Sequence, residues 1–173
     1  MTNGGPGAAI PVCGPVVNLA VTFLRHMKNI LVALELRADT ARVLRQATEL
    51  AVACHAKLWL LHVADPDPDF VGYEAGPQYI RDIRAEALKE ERAKLHQIIS
   101  DLTLQKVEAQ PIMVMGSTAE TILAEAERLN VDLIVMGTHG RRGLAKAFLG
   151  STSDDVLRAN RFSVLVVPTP SEG

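Results

Sequence analysis

V-D-L-I-V-M-G-T-H-G-R-R-G-L-A-K-A-F-L-G-S, Val131 to Ser151, is the stretch on which the fold turns. Its opening V-D-L-I-V-M (131–136) predicts a short buried strand that stops at Gly137. Glycines at 140, 143 and 150 follow, and Ser151-Thr152-Ser153 then opens a helix. Glycine lets backbone N–H groups approach a ligand that a side chain would hold away. A helix N-terminus adds oriented N–H donors and about half a positive charge. Strand, glycine loop and helix start together make a candidate cradle for phosphate. The same glycines would also serve an ordinary turn, so the pattern alone leaves both readings open.

Upstream, the chain alternates in the same way. N-I-L-V-A-L (29–34) is a continuous apolar run, as expected of a strand buried on both faces. Asp39 or Thr40 can cap a helix to about Ala56, with Leu44, Ala47, Ala51 and Cys54 on one stripe. K-L-W-L-L-H-V (57–63) is a second buried strand, and D-P-D-P-D-F-V-G-Y-E-A-G-P (65–77) reads as loop. A long amphipathic helix is predicted from about Gln78 to Leu104. Its core face is Ile83, Leu88, Leu95, Ile99 and Leu102; Arg81, Arg84, Lys89, Glu90 and Glu91 read as its solvated face. K-V-E-A-Q-P-I-M-V-M (106–115) is a third strand, and Pro111, which cannot donate to a ladder, moves it towards the sheet edge. Ser117 and Glu120 have capping-box spacing before a helix to Asn130. Ser151 and Asp154 repeat that spacing before a helix to Asn160. F-S-V-L-V-V (162–167), stopped by Pro168, is the fifth strand. Strands alternating with helices imply a parallel, helix-flanked sheet in a single α/β domain.

Composition narrows the function. The chain has 173 residues, 48% of them apolar but only 4% aromatic, so the core must be aliphatic. A net charge of −2 with no lysine–arginine run argues against nucleic acid as partner. No apolar run approaches the roughly 20 residues of a membrane-spanning helix. Cys13 and Cys54 share no metal-ligand spacing and read as free thiols in a reducing compartment, Cys54 as a small core residue. Residues 1–26, rich in Gly and Pro at the start, read as a flexible N-terminal extension or a start codon placed too early. The segment lacks the positive n-region of a secretory signal. The domain expected from this pattern is 27–168, with 169–173 a short tail.

Two nucleotide motifs are absent. The turn after the first strand, L-E-L-R-A-D-T, has no glycine, so the dinucleotide fingerprint is missing. No Walker loop is present, and no lysine directly precedes Ser151. The segments K-N-I-L-V-A-L, L-L-H-V, G-S-T-A-E-T-I and V-M-G-T-H-G-R-R-G-L-A-K-A-F-L-G-S-T nevertheless resemble the universal stress protein family over residues 27–168. The last matches that family's ATP-binding pattern, G-x2-G-x9-G-[S/T], without a gap.

The resemblance implies an adenine nucleotide alpha-hydrolase-like fold, a five-stranded parallel sheet of order 3-2-1-4-5 with helices on both faces. Ligands of such sheets sit where the strand order reverses, beyond the carboxyl ends of the strands. By the same resemblance Ala33, Leu34 and Glu35 would flank the nucleoside and Val63 would meet the adenine through its backbone. Met136, Gly137, His139 and Gly140 would line ribose and inner phosphates; Gly150, Ser151 and Thr152 would hold the outer ones. Arg141 and Arg142 read equally as extra positive charge or as solvated loop. The family usually has Asp followed by a small residue where this chain has Glu35-Leu36. His62 reads as an interior histidine. His139 reads as a phosphate donor or as an exposed loop residue, with no neighbour placed by sequence to make it a base.

No protein-only metal site is spaced in the sequence, so Mg²⁺ would be held through the nucleotide's phosphates. The apolar last strand, Phe162 to Val167, lies at an expected sheet edge, where the family pairs with a second copy. The expectation is a cytoplasmic, homodimeric stress-response protein that binds ATP as a nucleotide-dependent sensor or regulator. The alternatives are a slow nucleotide hydrolase or nucleotidyl transferase, and a nucleotide-free dimeric interaction module.

Overall fold

The apolar runs at 29–33, 57–64 and 133–137 become the three inner strands of one sheet. In the computed structural model, which describes residues 27–36, 40–64, 78–138 and 151–169, the strands are β1 (Asn29–Ala33), β2 (Lys57–Ala64), β3 (Ala109–Met115), β4 (Leu133–Gly137) and β5 (Ser163–Val167). The helices are α1 (Thr40–Cys54), α2 (Gln78–Leu104), α3 (Thr118–Arg128) and α4 (Ser151–Arg158). All strand pairs are parallel, in the order β3-β2-β1-β4-β5.

That order fixes which helix covers which face. Crossovers between parallel strands are right-handed. Stepping from β1 to β2 to β3 goes one way across the sheet, and returning through β4 to β5 goes the other. The first two helices therefore lie on one face and the last two on the opposite face. The core divides accordingly. Ile30, Val32, Leu58, Leu60, Leu133 and Val135 pack under Val43, Ala47 and Ala51 of α1 and Leu95 and Leu102 of α2. Leu31, Leu61, Val63, Ile134 and Met136 pack under Ile122 and Ala126 of α3 and Val156 of α4. Alternate residues of one strand serve opposite layers, which is why the inner strands are apolar without a break.

Pro111 sits on edge strand β3, opposite Leu60, where its missing N–H costs the ladder least. At the amino ends of the strands, the Asp132 carboxylate accepts from the Lys28 and Asn29 amides at 2.7 and 2.9 Å, and Asp132 N–H donates to Asn29 O. This clamp locks β1 to β4 on the side away from the carboxyl ends.

Three local expectations differ from the structure. Glu91, read as part of the solvated face of α2, turns inward to lie 3.3 Å from buried His62. Ile83 is 67% exposed, and burial along α2 begins only further on, at Leu88 and Leu95. A 27-residue helix is about 40 Å long, whereas the eight-residue β2 spans about 26 Å, so part of α2 overhangs the sheet. Ser117 occupies the N-cap of α3 with extended φ and ψ, but its side chain makes no capping bond. All four described helices close with a left-handed residue that is not glycine: Asn160, with φ of 49°, follows α4, and one such residue follows each of the other three. His55, Lys106 and Asn130 have φ of 52°, 61° and 50°. Each is followed by a 6→1 amide bond, such as Val107 N–H to Leu102 O at 3.0 Å, and makes a 5→2 bond itself, as in Lys106 N–H to Thr103 O at 2.9 Å. This is the Schellman arrangement, with residues that pay a conformational penalty for it.

Candidate functional site

The reversal of strand order lies between β1 and β4, and the described residues among those expected at the site lie at the ends of four elements around it. The pairing of Val32 with Val135 sets Ala33 beside Met136 and Leu34 beside Gly137 at the carboxyl ends. Leu34 N–H donates to Leu61 O at 2.9 Å, which holds the end of β1 against β2, two residues before Val63. Met136, Leu34 and Val63 are buried, Ala33 and Gly137 half-buried, and Glu35 exposed. Leu36, the next residue, has φ of 54°. A glycine would adopt that conformation freely, whereas a leucine is strained by about 1–2 kcal/mol.

The fourth element is α4. Ser153 is 3% exposed and its hydroxyl donates to Gly137 O at 2.9 Å. The bond docks the first turn of the helix, Ser151 to Ser153, onto the end of β4. Ser151 is exposed and Thr152 half-buried. The amides of that first turn have no partners within the helix. Gly137 does not need a left-handed backbone; among the described residues no glycine has one. What it needs is room, since a Cβ there would lie 3.2 Å from Thr169 Cγ2 and 3.5 Å from Val43 Cγ2.

Thr138 and Thr169 tie the start of the glycine segment to the chain after β5. Thr138 N–H donates to Val167 O at 3.0 Å, and Thr169 N–H to Thr138 Oγ1 at 3.0 Å. The two hydroxyl oxygens lie 3.2 Å apart. Thr138, Ser153 and Thr169 carry no pattern in sequence that marks them, because each acts through a partner distant along the chain. His139, Gly140, Arg141, Arg142 and Gly150 lie outside the described residues.

Among the described residues no group of three or more His, Cys, Asp or Glu side chains is arranged to hold a metal ion. No helix among them is long and apolar enough to cross a membrane. A groove of about 480 Å³ between α1 and α2, lined by Leu44, Arg45, Glu49, Ile98, Asp101 and Gln105 among others, includes none of the residues above.

The model of the universal stress protein family matches residues 26–168, almost the whole of the described chain. The chain belongs to the universal stress protein family. It is 34% identical over 143 residues to universal stress protein A homolog 2 of Coxiella burnetii, covering 82% of this chain and 95% of that one. The structure of a universal stress protein family member from Burkholderia pseudomallei is 31% identical, with a TM-score of 0.64 over 83% of this chain and 97% of its own. That of the hypothetical protein MJ0577, a universal stress protein of Methanocaldococcus jannaschii, gives a TM-score of 0.73 at 25% identity, over 84% and 99% of the two chains. The fold of this universal stress protein is therefore that of its family, including the sheet order and the two helical layers.

Proposed function

We propose that this universal stress protein binds an adenine nucleotide, ATP in particular, at the carboxyl ends of β1 and β4, and acts as a nucleotide-dependent sensor or regulator. The observation that carries the reading is the Ser153–Gly137 bond at 2.9 Å. It ties the N-terminal turn of α4 to the end of β4, the strand that adjoins β1 where the strand order reverses. Oriented donors at that point suit a polyphosphate, and a ligand crevice at such a reversal is the rule for open α/β sheets. The gap-free G-x2-G-x9-G-S pattern from Gly137 to Ser151 supports the same placement. Universal stress proteins of this fold have been solved with cAMP and, from Archaeoglobus fulgidus, with dAMP. Those two are 20% and 21% identical to this chain, and what they share with it is the fold.

In this reading Ala33, Leu34, Glu35 and Val63 contact the nucleoside. Met136, Gly137, His139 and Gly140 contact ribose and inner phosphates, and Arg141, Gly150, Ser151 and Thr152 the outer phosphates. Mg²⁺ would ride on the phosphates, because the described residues offer it no ligand cluster. Binding rather than turnover is the proposed role, since no lysine precedes Ser151 to clamp a phosphate in a transition state. A cytoplasmic homodimer completes the proposal. Val164, Leu165 and Val166 of edge strand β5 remain half-exposed, and a second copy would cover them.

Thermal unfolding with ATP and Mg²⁺ tests the reading. Ligand at 100 times its dissociation constant should add about 2.7 kcal/mol of stability. An unchanged melting temperature at millimolar ATP would remove it. Mass spectrometry of small molecules released from freshly purified protein separates a bound adenylate from a nucleotide-free module.

A further inference from the structure

His62 is 2% exposed and belongs to no expected nucleotide contact. Its Nδ1 lies 2.8 Å from Leu34 O. A carbonyl oxygen only accepts, so Nδ1 carries the hydrogen. Leu34 is thereby held to β2 twice, through its N–H by the main chain and through its oxygen by a side chain. The two residues that follow are Glu35, exposed at the site, and Leu36 in its strained left-handed conformation. Such strain persists only where the surroundings over-determine the backbone. The other ring nitrogen, Nε2, stands 3.3 Å from Glu91 Oε2 on α2, out of line for a hydrogen bond. Met113 faces His62 in the register of β3.

We infer that His62 is a positioning residue of the nucleotide site. The Nδ1–H bond fixes the Leu34–Glu35 peptide. It thereby sets the direction in which β1 leaves the sheet and presents Glu35 to a nucleoside. The inference rests on the nucleotide reading above, and its test separates the two.

The test compares ATP affinity, by calorimetric titration with Mg²⁺, in the wild type, His62→Leu and His62→Asn. An Asn amide nitrogen occupies nearly the position of Nδ1 and donates as it does. Loss of one hydrogen bond to a buried carbonyl predicts roughly tenfold weaker binding for His62→Leu, with His62→Asn within about twofold of wild type. If His62→Leu fails to fold, His62→Gln replaces it, because its amide lies near Nε2 and cannot reach Leu34. The second readout needs no nucleotide: the carbonyl ¹³C shift of Leu34 and the amide shift of Leu36 should move in His62→Leu and return in His62→Asn. Equal affinity of all three proteins overturns the inference and leaves the nucleotide reading intact. A wild type that binds no ATP overturns the nucleotide reading. In that case unmoved Leu34 and Leu36 resonances end the positioning role as well, and moved ones retain it.

Discussion

Replacing Ser153 by alanine removes one hydroxyl and tests the joint on which the proposed site depends. Ser153 is buried, and its Oγ donates to Gly137 O at 2.9 Å. Water cannot readily take the place of the hydroxyl in so enclosed a position. A buried acceptor left without its donor costs about 1–3 kcal/mol. Gly137 is only half-buried and a carbonyl has two lone pairs, so the cost should fall low in that range, at about 1.5 kcal/mol. For a chain of this size that is about 3–6 °C in melting temperature. Urea unfolding should show a lower midpoint with an unchanged slope, because the surface exposed on unfolding is the same. Exposed Ser163 on β5 provides the control, and Ser163→Ala should stay within about 0.5 kcal/mol of wild type. With the first turn of α4 no longer tied to β4, Ser153→Ala should also bind ATP more weakly, while Ser163→Ala binds as wild type does. A Ser153→Ala protein as stable as the control, with unaltered ATP affinity, would refute the view that this bond builds the site.

Other outcomes follow from the same coordinates. Lys106→Gly and His55→Gly should each stabilise the chain by up to about 1 kcal/mol, because both residues hold a left-handed helix terminus that glycine adopts freely; thermal melts check this. Gly137→Ala should destabilise by about 1 kcal/mol or more through its contact with Thr169 Cγ2, and Thr169→Ser, which lacks that methyl, should recover part of the loss in a double-mutant cycle. Light scattering on the purified chain should give a mass near twice 18.7 kDa if β5 pairs across a dimer axis, and a monomer mass at micromolar concentration would count against that pairing.

Much of the architecture was legible because it depends on period. The apolar runs read at 29–34, 57–63 and 131–136 pointed to strands covered on both faces, and they form β1, β2 and β4. The spacing of Ile83, Leu88, Leu95, Ile99 and Leu102 pointed to one long helix from about Gln78 to Leu104, and α2 has those bounds. Period does not report how far the partner surface extends, and so Ile83, on the same stripe, is exposed. The capping pattern at Ser117 located the start of α3, but the bond that usually explains the pattern is absent.

The site was legible only in its local part. Gly137, Ser151 and Thr152 lie in one continuous motif. The groups that hold that motif in place are scattered along the chain. Thr169 reaches Thr138 across 31 residues, and Ser153 reaches Gly137 across 16. No spacing rule connects such pairs, because the fold alone brings them together. Glu35-Leu36 was visible as a departure from the family, but that Leu36 would take a positive φ there was not.

Amide chemical-shift mapping during titration with ATP and Mg²⁺ puts the central claim to its most direct test. The predicted result is saturable shifts concentrated at Ala33–Glu35, Val63, Met136–Thr138 and Ser151–Ser153. No shifts at millimolar ATP, or shifts confined to the groove between α1 and α2, would contradict it.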